Sequence, residues 1–224
     1  MGAFHPVVHP GDEVSQFDKK IILPKPDLCG KIPLETVLHR RRSIRDYSNH
    51  SLPLTSISQL LWSSQGITES AEMRRTTPSA GALYPLEIYV AVGKVEGVPT
   101  GGYHYRCGHH ELVRLIERDV RSELSRAALG QAWIVRAPVV FVISAVYDRV
   151  TRRYGKRGIR YVHMEAGHAA QNIYLQAVAL NLGTVAVGAF HDAEVQKIFQ
   201  MTAEETPLYI MPIGVPLFGA GGVR

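Results

Sequence analysis

Cysteine is nearly absent from this chain, which has only Cys29 and Cys107 among its 224 residues. Two thiols so far apart exclude a disulfide framework and a thiolate metal site. The longest apolar stretches, at 137–146 and 185–190, are shorter than the roughly 20 residues that a membrane-spanning helix needs. Residues 1–14 lack the basic flank and apolar core of a signal peptide. We therefore predict a protein of the reducing cytoplasm that does not enter a membrane.

No stretch rich in proline, glycine or like charges divides the chain. We predict an extended N-terminal arm at residues 1–30, followed by a single domain at residues 31–224. The arm is polar and contains prolines, and such a segment can wrap around a partner in a dimer. Hydrophobic residues make up 46% of the sequence and charged residues 20%, which is typical of a globular protein.

Acidic residues are outnumbered, and the formal net charge is +5. A basic excess favours an anionic ligand or nucleic acid. One basic cluster lies at residues 40–45, and the second consists of Arg149, Arg152, Arg153, Lys156, Arg157 and Arg160. Two separate clusters, with no recognisable nucleic-acid motif, favour one or two phosphate sites over a nucleic-acid track.

The first basic cluster places arginines and a hydroxyl close together, since Ser43 lies between Arg42 and Arg45. The planar guanidinium group can bind phosphate oxygens through two hydrogen bonds, and a serine adds a neutral donor. Local composition alone leaves a solvated surface and a nucleic-acid patch open as alternatives.

A second informative segment, residues 78–85, reads Pro-Ser-Ala-Gly-Ala-Leu-Tyr-Pro and leads into the apolar stretch 86–92. Small residues between prolines predict a rigid loop whose backbone can approach a flat ligand closely. The apolar stretch predicts a strand buried on both faces. The alternative interpretation is an ordinary loop that closes onto a sheet.

With these segments in view, the chain resembles the FMN-dependent nitroreductase superfamily, and within it the SagB-type dehydrogenases. The resemblance covers about residues 32–216. It rests on the order of motifs at residues 41–45, 78–85, 165–172, 183–190 and 212–216. The resemblance implies an α+β, nitroreductase-like fold. In that fold a central mixed, mainly antiparallel sheet is flanked by helices, and two copies form an intertwined homodimer.

The resemblance also implies bound FMN. Arg41 and Ser43 would hold its phosphate, with Arg42 able to share that task, and Arg45 would reach the ribityl chain or the pyrimidine edge. Arg224 is a further candidate for the phosphate.

Two more segments complete the implied site, which would lie at the subunit interface. The loop of the other subunit would contribute Pro78, Ser79, Ala80 and Gly81. Val187, Gly188 and Ala189 would lie against the flavin ring, with an amide of Gly188 or Ala189 facing N5.

The activity that the resemblance implies is hydride transfer through flavin N5, from NAD(P)H to a small electrophile such as a quinone or a nitroaromatic compound. Two alternatives stay open. One is a SagB-type dehydrogenase that oxidises azolines in a peptide, in which a Lys-Tyr pair takes a proton. Here that pair is Arg153-Tyr154. Arginine cannot act as the base, which leaves Tyr154 alone as a proton relay. The other alternative is a flavin-binding protein without reductase turnover.

Metal chemistry is not indicated by the histidines. His163, Glu165 and His168 do not have the spacing of zinc hydrolases, and a buried hydrogen bond between Glu165 and His168 explains them equally well. Tyr161, Tyr174 and Trp133 are interpreted as core or interface aromatics.

Hydrophobic periodicity and turn signals predict the order of elements. Helices are expected at 34–42, 55–66, 119–129, 161–182 and 192–199, and strands at 86–92, 102–106, 111–115, 139–146, 184–189 and 207–215. Thr55 and Asp192 are predicted N-caps, and Gly183 a left-handed C-cap. The alanine-rich faces of the longest helix predict close packing against a second copy.

Overall fold

A seven-stranded sheet forms the centre of the molecule, for which the computed structural model describes residues 20–69 and 71–217. The strands are β1 (Lys20–Ile22), β2 (Ile67–Glu69), β3 (Arg74–Arg75), β4 (Leu86–Val92), β5 (Gly101–Arg106), β6 (Glu111–Ile116), β7 (Val139–Val146), β8 (Gly183–Thr184) and β9 (Glu205–Gly214). The sheet has the order β1-β6-β5-β4-β7-β9-β8, and β2 and β3 form a separate ribbon. Part of the predicted arm is thus the edge strand β1, and residues 1–19 lie outside the described residues.

Seven α-helices accompany the strands in the described part of the chain. They are α1 (Leu34–Arg40), α2 (Leu54–Gln65), α3 (Arg121–Ala127), α4 (Trp133–Arg136), α5 (Asp148–Tyr154), α6 (Arg157–Ala179) and α7 (Asp192–Phe199). No described helix is long and apolar enough to cross a membrane.

The helices cover both faces of the sheet, which explains why its central strands are apolar throughout. Successive side chains of a strand point to opposite faces. In β4, Ile88 and Val90 belong to the core that includes α2 and α6. Tyr89 and Ala91 belong to a second core that includes α3 and α7. The fold class predicted from the sequence is confirmed, because neighbouring strands of the sheet pair antiparallel and parallel pairing occurs in isolated bridges such as that of Ser43 with Thr184.

The end of α6 differs from the prediction. The left-handed residue is Asn181, with φ of 57°, and Gly183 instead begins β8. A Cβ atom on Gly183 would lie 2.7 Å from Cβ of Ile44. Glycine is therefore required here by the close approach of the segment that follows α1, not by the geometry of a helix end.

The predicted helix caps were also wrong. Pro53 occupies the N-cap position of α2, and His191 occupies that of α7, so that Asp192 is the first residue of its helix. Regular pairing in the predicted strand 184–189 ends early, because after Thr184 only Val187 pairs with β9, as an isolated bridge to Ile210.

The alanines of α6 lie within the chain, which overturns the prediction that they pack against a second copy. The buried ones are Ala166, Ala169, Ala170 and Ala177. The outer face of the helix instead carries exposed Met164, His168 and Gln171, spaced by four and three residues, with half-buried Leu175 next in register. We call these four residues the exposed stripe.

Candidate functional site

The segment after α1, residues 41–45, is held by its backbone, and we call it the basic grip. The amide of Ile44 donates to the carbonyl of Thr184 at 2.9 Å. The hydroxyl of Tyr47, which is buried, lies 2.5 Å from the carbonyl of Ile44 and 3.0 Å from that of Pro212. Main-chain contacts fix the segment, so its polar side chains are left to bind other groups.

Arg41 and Ser43 converge on Tyr174 of α6. The guanidinium carbon of Arg41 lies 5.2 Å from the centre of the Tyr174 ring, and the Ser43 and Tyr174 hydroxyls are 3.2 Å apart. The Tyr174 oxygen also accepts a hydrogen bond from the amide of Ala186 at 2.8 Å. Tyr174 can therefore donate to Ser43, which leaves the serine hydrogen and the guanidinium donors for an anion.

Arg42 turns in another direction. Its guanidinium donates to the carbonyls of His39 and Arg41, at 2.8 Å and 2.7 Å. Those carbonyls belong to the end of α1, where a cation is favourable. Arg42 also lines a cavity of about 230 Å³. Other residues of that lining are Arg40, Ile44, Tyr174, Thr184 and Val215.

Arg45 lies apart from the other donors of the basic grip. Its guanidinium carbon is 5.6 Å from the centre of the Trp133 ring, a cation–π contact. Arg42 and Ile44 line the cavity, whereas Arg41, Ser43 and Arg45 do not. Side chains of an extended segment point alternately to opposite sides, which explains this difference.

Residues 187–189 form a short edge with fixed ends, in which Val187 is buried and Gly188 and Ala189 are exposed. Val187 and Ile210 exchange two backbone hydrogen bonds of 2.9 Å, and His191 donates to the carbonyl of Ala127. Gly188 is exposed, and a Cβ atom there would meet only the ring of Tyr209, at 4.0 Å. Within the described residues, neither the Gly188 amide nor the Ala189 amide has an acceptor. This edge presents two backbone donors to a ligand.

The segment 78–81, which we call the proline loop, lies against the end of α5. Gly81 has φ of +63°, and a Cβ atom on it would lie 2.7 Å from the Tyr154 hydroxyl and 3.0 Å from a guanidinium nitrogen of Arg153. The backbone angle favours glycine, and a larger side chain would also displace the ends of Tyr154 and Arg153. The Ser79 hydroxyl accepts a hydrogen bond from the amide of Tyr84 at 2.9 Å.

A partly buried ion pair holds α5 beside the proline loop. Arg149 lies 2.6 Å from a carboxylate oxygen of Glu87 on β4, and it donates to the carbonyl of Tyr84 at 3.1 Å. The other carboxylate oxygen of Glu87 lies 2.9 Å from Nε2 of His104. Burial alone would raise the pKa of Glu87, but His104 and Arg149 together lower it to about 2.

The basic grip and the proline loop contact opposite flanks of α6. Tyr174 meets the grip, whereas Asn172 donates to Thr77, the residue before the proline loop, at 3.2 Å. Asn172 and Tyr174 are two positions apart, which is about 200° around the helix axis. The two contacts therefore lie on opposite sides of the helix, with the exposed stripe between them.

The structure brings together only part of the predicted set. Arg41 and Ser43 share Tyr174, which also bonds the amide directly before the edge at 187–189, while Arg45 contacts Trp133 and the proline loop contacts α5. Arg224 lies outside the described residues. Among those residues, no group of three His, Cys, Asp or Glu side chains lies close enough to hold a metal.

Sequence reasoning missed two contacts. Tyr174 and Trp133 pack against the cores, as predicted, and they also contact Ser43 and Arg45. The hydrogen bond suggested between Glu165 and His168 does not form, because His168 is exposed and Oε1 of the buried Glu165 has no partner among the described residues.

Comparison with known proteins gives matches along most of the chain. The nitroreductase family profile matches residues 38–215. A candidate nitroreductase of Methanocaldococcus jannaschii is 50% identical over 184 residues, which cover 82% of this chain and 91% of that protein. The microcin B17-processing protein of Escherichia coli is 23% identical, over 92% of this chain and 78% of its own length. The crystal structure of a candidate nitroreductase from Ralstonia eutropha has a TM-score of 0.79 at 29% identity, with 92% and 93% of the two chains covered.

Proposed function

This chain belongs to the nitroreductase family and is therefore an oxidoreductase, and we propose that it uses FMN to transfer hydride from NAD(P)H to a small electrophile. Quinones and nitroaromatic compounds are the substrates that we would test first. We further propose that two copies form a homodimer that carries FMN at the subunit interface. Both cysteines are free, which is compatible with a reducing cytoplasm.

The residues present suit FMN. Arg41 and Ser43 offer charge-assisted and neutral donors to a terminal phosphate, and Arg45 would reach the ribityl chain or the pyrimidine edge. The backbone amides of Gly188 and Ala189 have no acceptor among the described residues, and the Cβ side of Gly188 has room for a flat ring. No dinucleotide fingerprint occurs in the sequence, so we expect FMN and not FAD.

The observation that carries the dimer proposal is the position of the two binding segments on opposite flanks of α6. One flavin on one flank cannot touch the basic grip and the proline loop of the same chain without passing around the helix. A second copy can supply the missing segment. The exposed stripe offers it a contact, because Met164 is 51% exposed there.

Bound FMN would supply the hydride chemistry at its N5 atom. The chain would contribute three things: a phosphate clamp at Arg41 and Ser43, a backbone donor at Gly188 or Ala189 beside N5, and a wall formed by the partner's proline loop. A fixed donor stabilises the charge that develops on reduction, and it costs no reorganisation during the reaction.

A mixing experiment tests the shared site. Arg41→Ala disables the basic grip, and Pro78→Glu places a charge on an exposed position of the proline loop. Each variant alone should lose FMN. After unfolding and refolding together, about one quarter of all sites should be complete, because half of the dimers are mixed and each has one intact site. Flavin absorbance per chain measures this, and no recovery in the mixture would show that the site is built within one chain.

Cofactor identity and turnover need separate measurements. Heat release followed by chromatography should give FMN, and a predominance of FAD would contradict the proposal. Anaerobic addition of NADH or NADPH should bleach the flavin absorbance. A protein that keeps its yellow colour under both would instead bind flavin without reductase turnover.

Azoline oxidation is the second candidate function, favoured by the contact of Tyr154 with the proline loop. In this reaction bound FMN would accept a hydride from a ring carbon of the azoline, a base would take a proton, and the product would be the azole. Tyr154 would relay the proton, since Arg153 cannot accept one. Conversion of a thiazoline peptide by the wild type, with loss of conversion in Tyr154→Phe, would establish this activity. Bleaching by NAD(P)H without any conversion would favour the first proposal.

A further inference from the structure

The second basic cluster of the sequence divides into two groups in the structure. Arg149 pairs with Glu87, and Arg152 lies 3.7 Å from a carboxylate oxygen of Asp148. The other four cations of the cluster have no acidic partner among the described residues, and all four are exposed. They are Arg153, Lys156, Arg157 and Arg160, and we call them the cationic patch.

The patch lies where the end of α5 meets the start of α6. Arg153 belongs to the last turn of α5, and Arg157 is the first residue of α6. A Cβ atom on Gly158 would lie 3.1 Å from the Cα atom of Thr151, closer than such atoms normally approach. The first turn of α6 therefore lies directly against α5, and the four cations belong to one corner of the molecule.

This arrangement of cations is unfavourable for folding. Lys156 and Arg160 are four positions apart and Arg157 and Arg160 are three positions apart, spacings at which like charges on a helix repel each other. The first turn of α6 contains no acidic residue, and cations there oppose the positive end of the helix dipole. Local stability would favour acidic residues at these positions. Departures from such local rules are expected at functional sites, and here they indicate an anionic ligand.

The patch borders the proline loop. A Cβ atom on Gly81 would lie 3.0 Å from a guanidinium nitrogen of Arg153. The same guanidinium group lies over Tyr154, with its carbon 5.4 Å from the centre of the ring, and the Tyr154 ring packs edge-on against Tyr161 at 5.3 Å. Since the proposed function assigns the proline loop to the flavin of the partner subunit, the patch lies beside the site that the loop completes.

We infer that the cationic patch binds the 2′-phosphate of NADPH and so makes NADPH the preferred hydride donor over NADH. The inference rests on the proposed function, because that function places the patch beside a flavin. A hydride donor stacks its nicotinamide ring on the flavin, which leaves its adenosine end outside the stack. NADPH differs from NADH in one phosphate on that end, with a charge of about −1.5 to −2 at neutral pH. Arginine side chains are suited to such a group.

Nucleic acid is the alternative ligand for a basic surface. A duplex is held by many phosphate contacts along a track, and a nucleic-acid motif normally accompanies the basic surface. The patch has only four cations, and the sequence contains no such motif. A single phosphate group beside a stacked donor suits it better.

The test uses the FMN-loaded protein and measures how fast NADPH and NADH bleach the flavin in anaerobic stopped-flow experiments. The informative quantity is the ratio of the two second-order rate constants. We expect the wild type to favour NADPH by about tenfold, the scale of one charge-assisted hydrogen bond to a phosphate. Raising the salt concentration from about 0.02 M to about 0.2 M should lower this ratio, because exposed charges are screened.

Arg157→Glu and Lys197→Glu form a matched pair of variants. Each reverses one exposed cation that has no acidic partner among the described residues, and Lys197 lies on α7, away from the patch. Arg157→Glu should lower the rate constant for NADPH by about tenfold and that for NADH by about twofold at most. Lys197→Glu should leave the ratio unchanged.

Melting curves without FMN separate binding from folding. Arg157→Glu places an acidic residue in the first turn of α6, and Lys197→Glu places one in the last turn of α7. The helix dipole favours the first change and opposes the second. Arg157→Glu should therefore melt no lower than the wild type while it loses the preference for NADPH, and Lys197→Glu should melt lower and keep that preference. If Arg157→Glu does not fold, Arg160→Glu takes its place.

Two results would contradict the inference while leaving the proposed function intact. One is bleaching by NADH that is as fast as bleaching by NADPH, or faster, in the wild type. The other is a preference for NADPH that persists in both Arg157→Glu and Arg160→Glu. Retention of the wild type on DNA that Arg157→Glu loses, without any preference for NADPH, would assign the patch to nucleic acid. A flavin that neither donor bleaches would overturn the proposed function, and the inference with it.

Discussion

The basic grip and the proline loop differ in how they are held. The grip is fixed by main-chain hydrogen bonds, such as that of Ile44 to Thr184, and its arginine side chains extend from a surface segment. The proline loop is fixed by side chains, among them Ser79, which accepts the Tyr84 amide hydrogen, and Arg149, which pairs with Glu87 and donates to the Tyr84 carbonyl.

Because of this difference, mutations in the two regions should affect ligand affinity and protein stability to different extents. A side chain that extends from a backbone-held segment can be removed with little effect on folding, whereas removal of a buried polar partner leaves another group unsatisfied. We therefore expect changes in the grip to affect mainly FMN affinity, and changes around the loop to affect both affinity and stability.

The largest expected effect is on the loop side, at Glu87. Its pKa is lowered to about 2 from 4.5, so its contribution is fully present above pH 4.5 and is lost as the pH falls to 2. A shift of this size corresponds to about 3 kcal/mol in the free energy of unfolding. Urea unfolding at pH 5 and pH 2.5 should show this loss in the wild type and a smaller one in Glu87→Gln. Glu117→Gln, at an exposed position, should behave like the wild type. Identical pH profiles for all three proteins would show that the Arg149–Glu87 ion pair does not contribute to stability.

On the grip side, Arg41→Ala should weaken FMN binding by about 2 kcal/mol, the scale of a lost charge-assisted contact. The melting temperature of the FMN-free protein should stay the same, because Arg41 contacts Tyr174 from the surface. Arg118→Ala, an exposed arginine paired with Glu123, is the control for charge. A nucleic-acid role for the grip would appear as unchanged FMN content together with weaker DNA retention.

Gly81→Val tests the contact between the proline loop and α5, with Gly97→Val as its matched control. Both glycines have positive φ, +63° and +72°, so valine strains both backbones by about 1–3 kcal/mol. Only Gly81 has neighbours that the new side chain would hit, at Tyr154 and Arg153. We expect Gly81→Val to be less stable than Gly97→Val by about 1 kcal/mol and to bind FMN more weakly. Equal effects at both sites would show that the contact has no energetic consequence.

The smallest effect should come from Tyr174→Phe, which tests whether the basic grip depends on its contact with α6. The change removes the bond to Ser43 and leaves the Ala186 amide without its acceptor. We expect about 1 kcal/mol lost in stability and a similar loss in FMN affinity. Thermal melting and flavin titration of Tyr174→Phe and Ser43→Ala measure the two parts. If Tyr174→Phe changes neither quantity, the grip does not depend on α6.

Much of the fold was predictable from local sequence. The buried strands 86–92 and 139–146 were predicted with the bounds that the structure has, because long apolar stretches between turn residues leave little choice. Helix ends were less predictable. The glycine after α6 was assigned to a cap, whereas the structure requires it for a contact with Ile44, a residue far away in the chain.

The donors of the candidate site were predictable in kind and not in arrangement. Guanidinium groups and a hydroxyl at 41–45 are suited to a phosphate, although local composition alone also allows a solvated surface or a nucleic-acid patch. The partners of those residues were not visible, since Ser43 and Tyr174 are 131 positions apart in the chain.

The sequence by itself determined the chemistry of each segment, the order of the elements and the family, because charge, hydrogen-bonding capacity and periodicity are local properties. Only the tertiary structure decided that the basic grip and the proline loop contact opposite flanks of α6. That outcome depends on the rotation of one helix against the sheet, which the packing of Ala166, Ala169 and Ile173 into the core sets. The same rotation buries Glu165 and exposes Met164, neighbours in sequence with different surroundings.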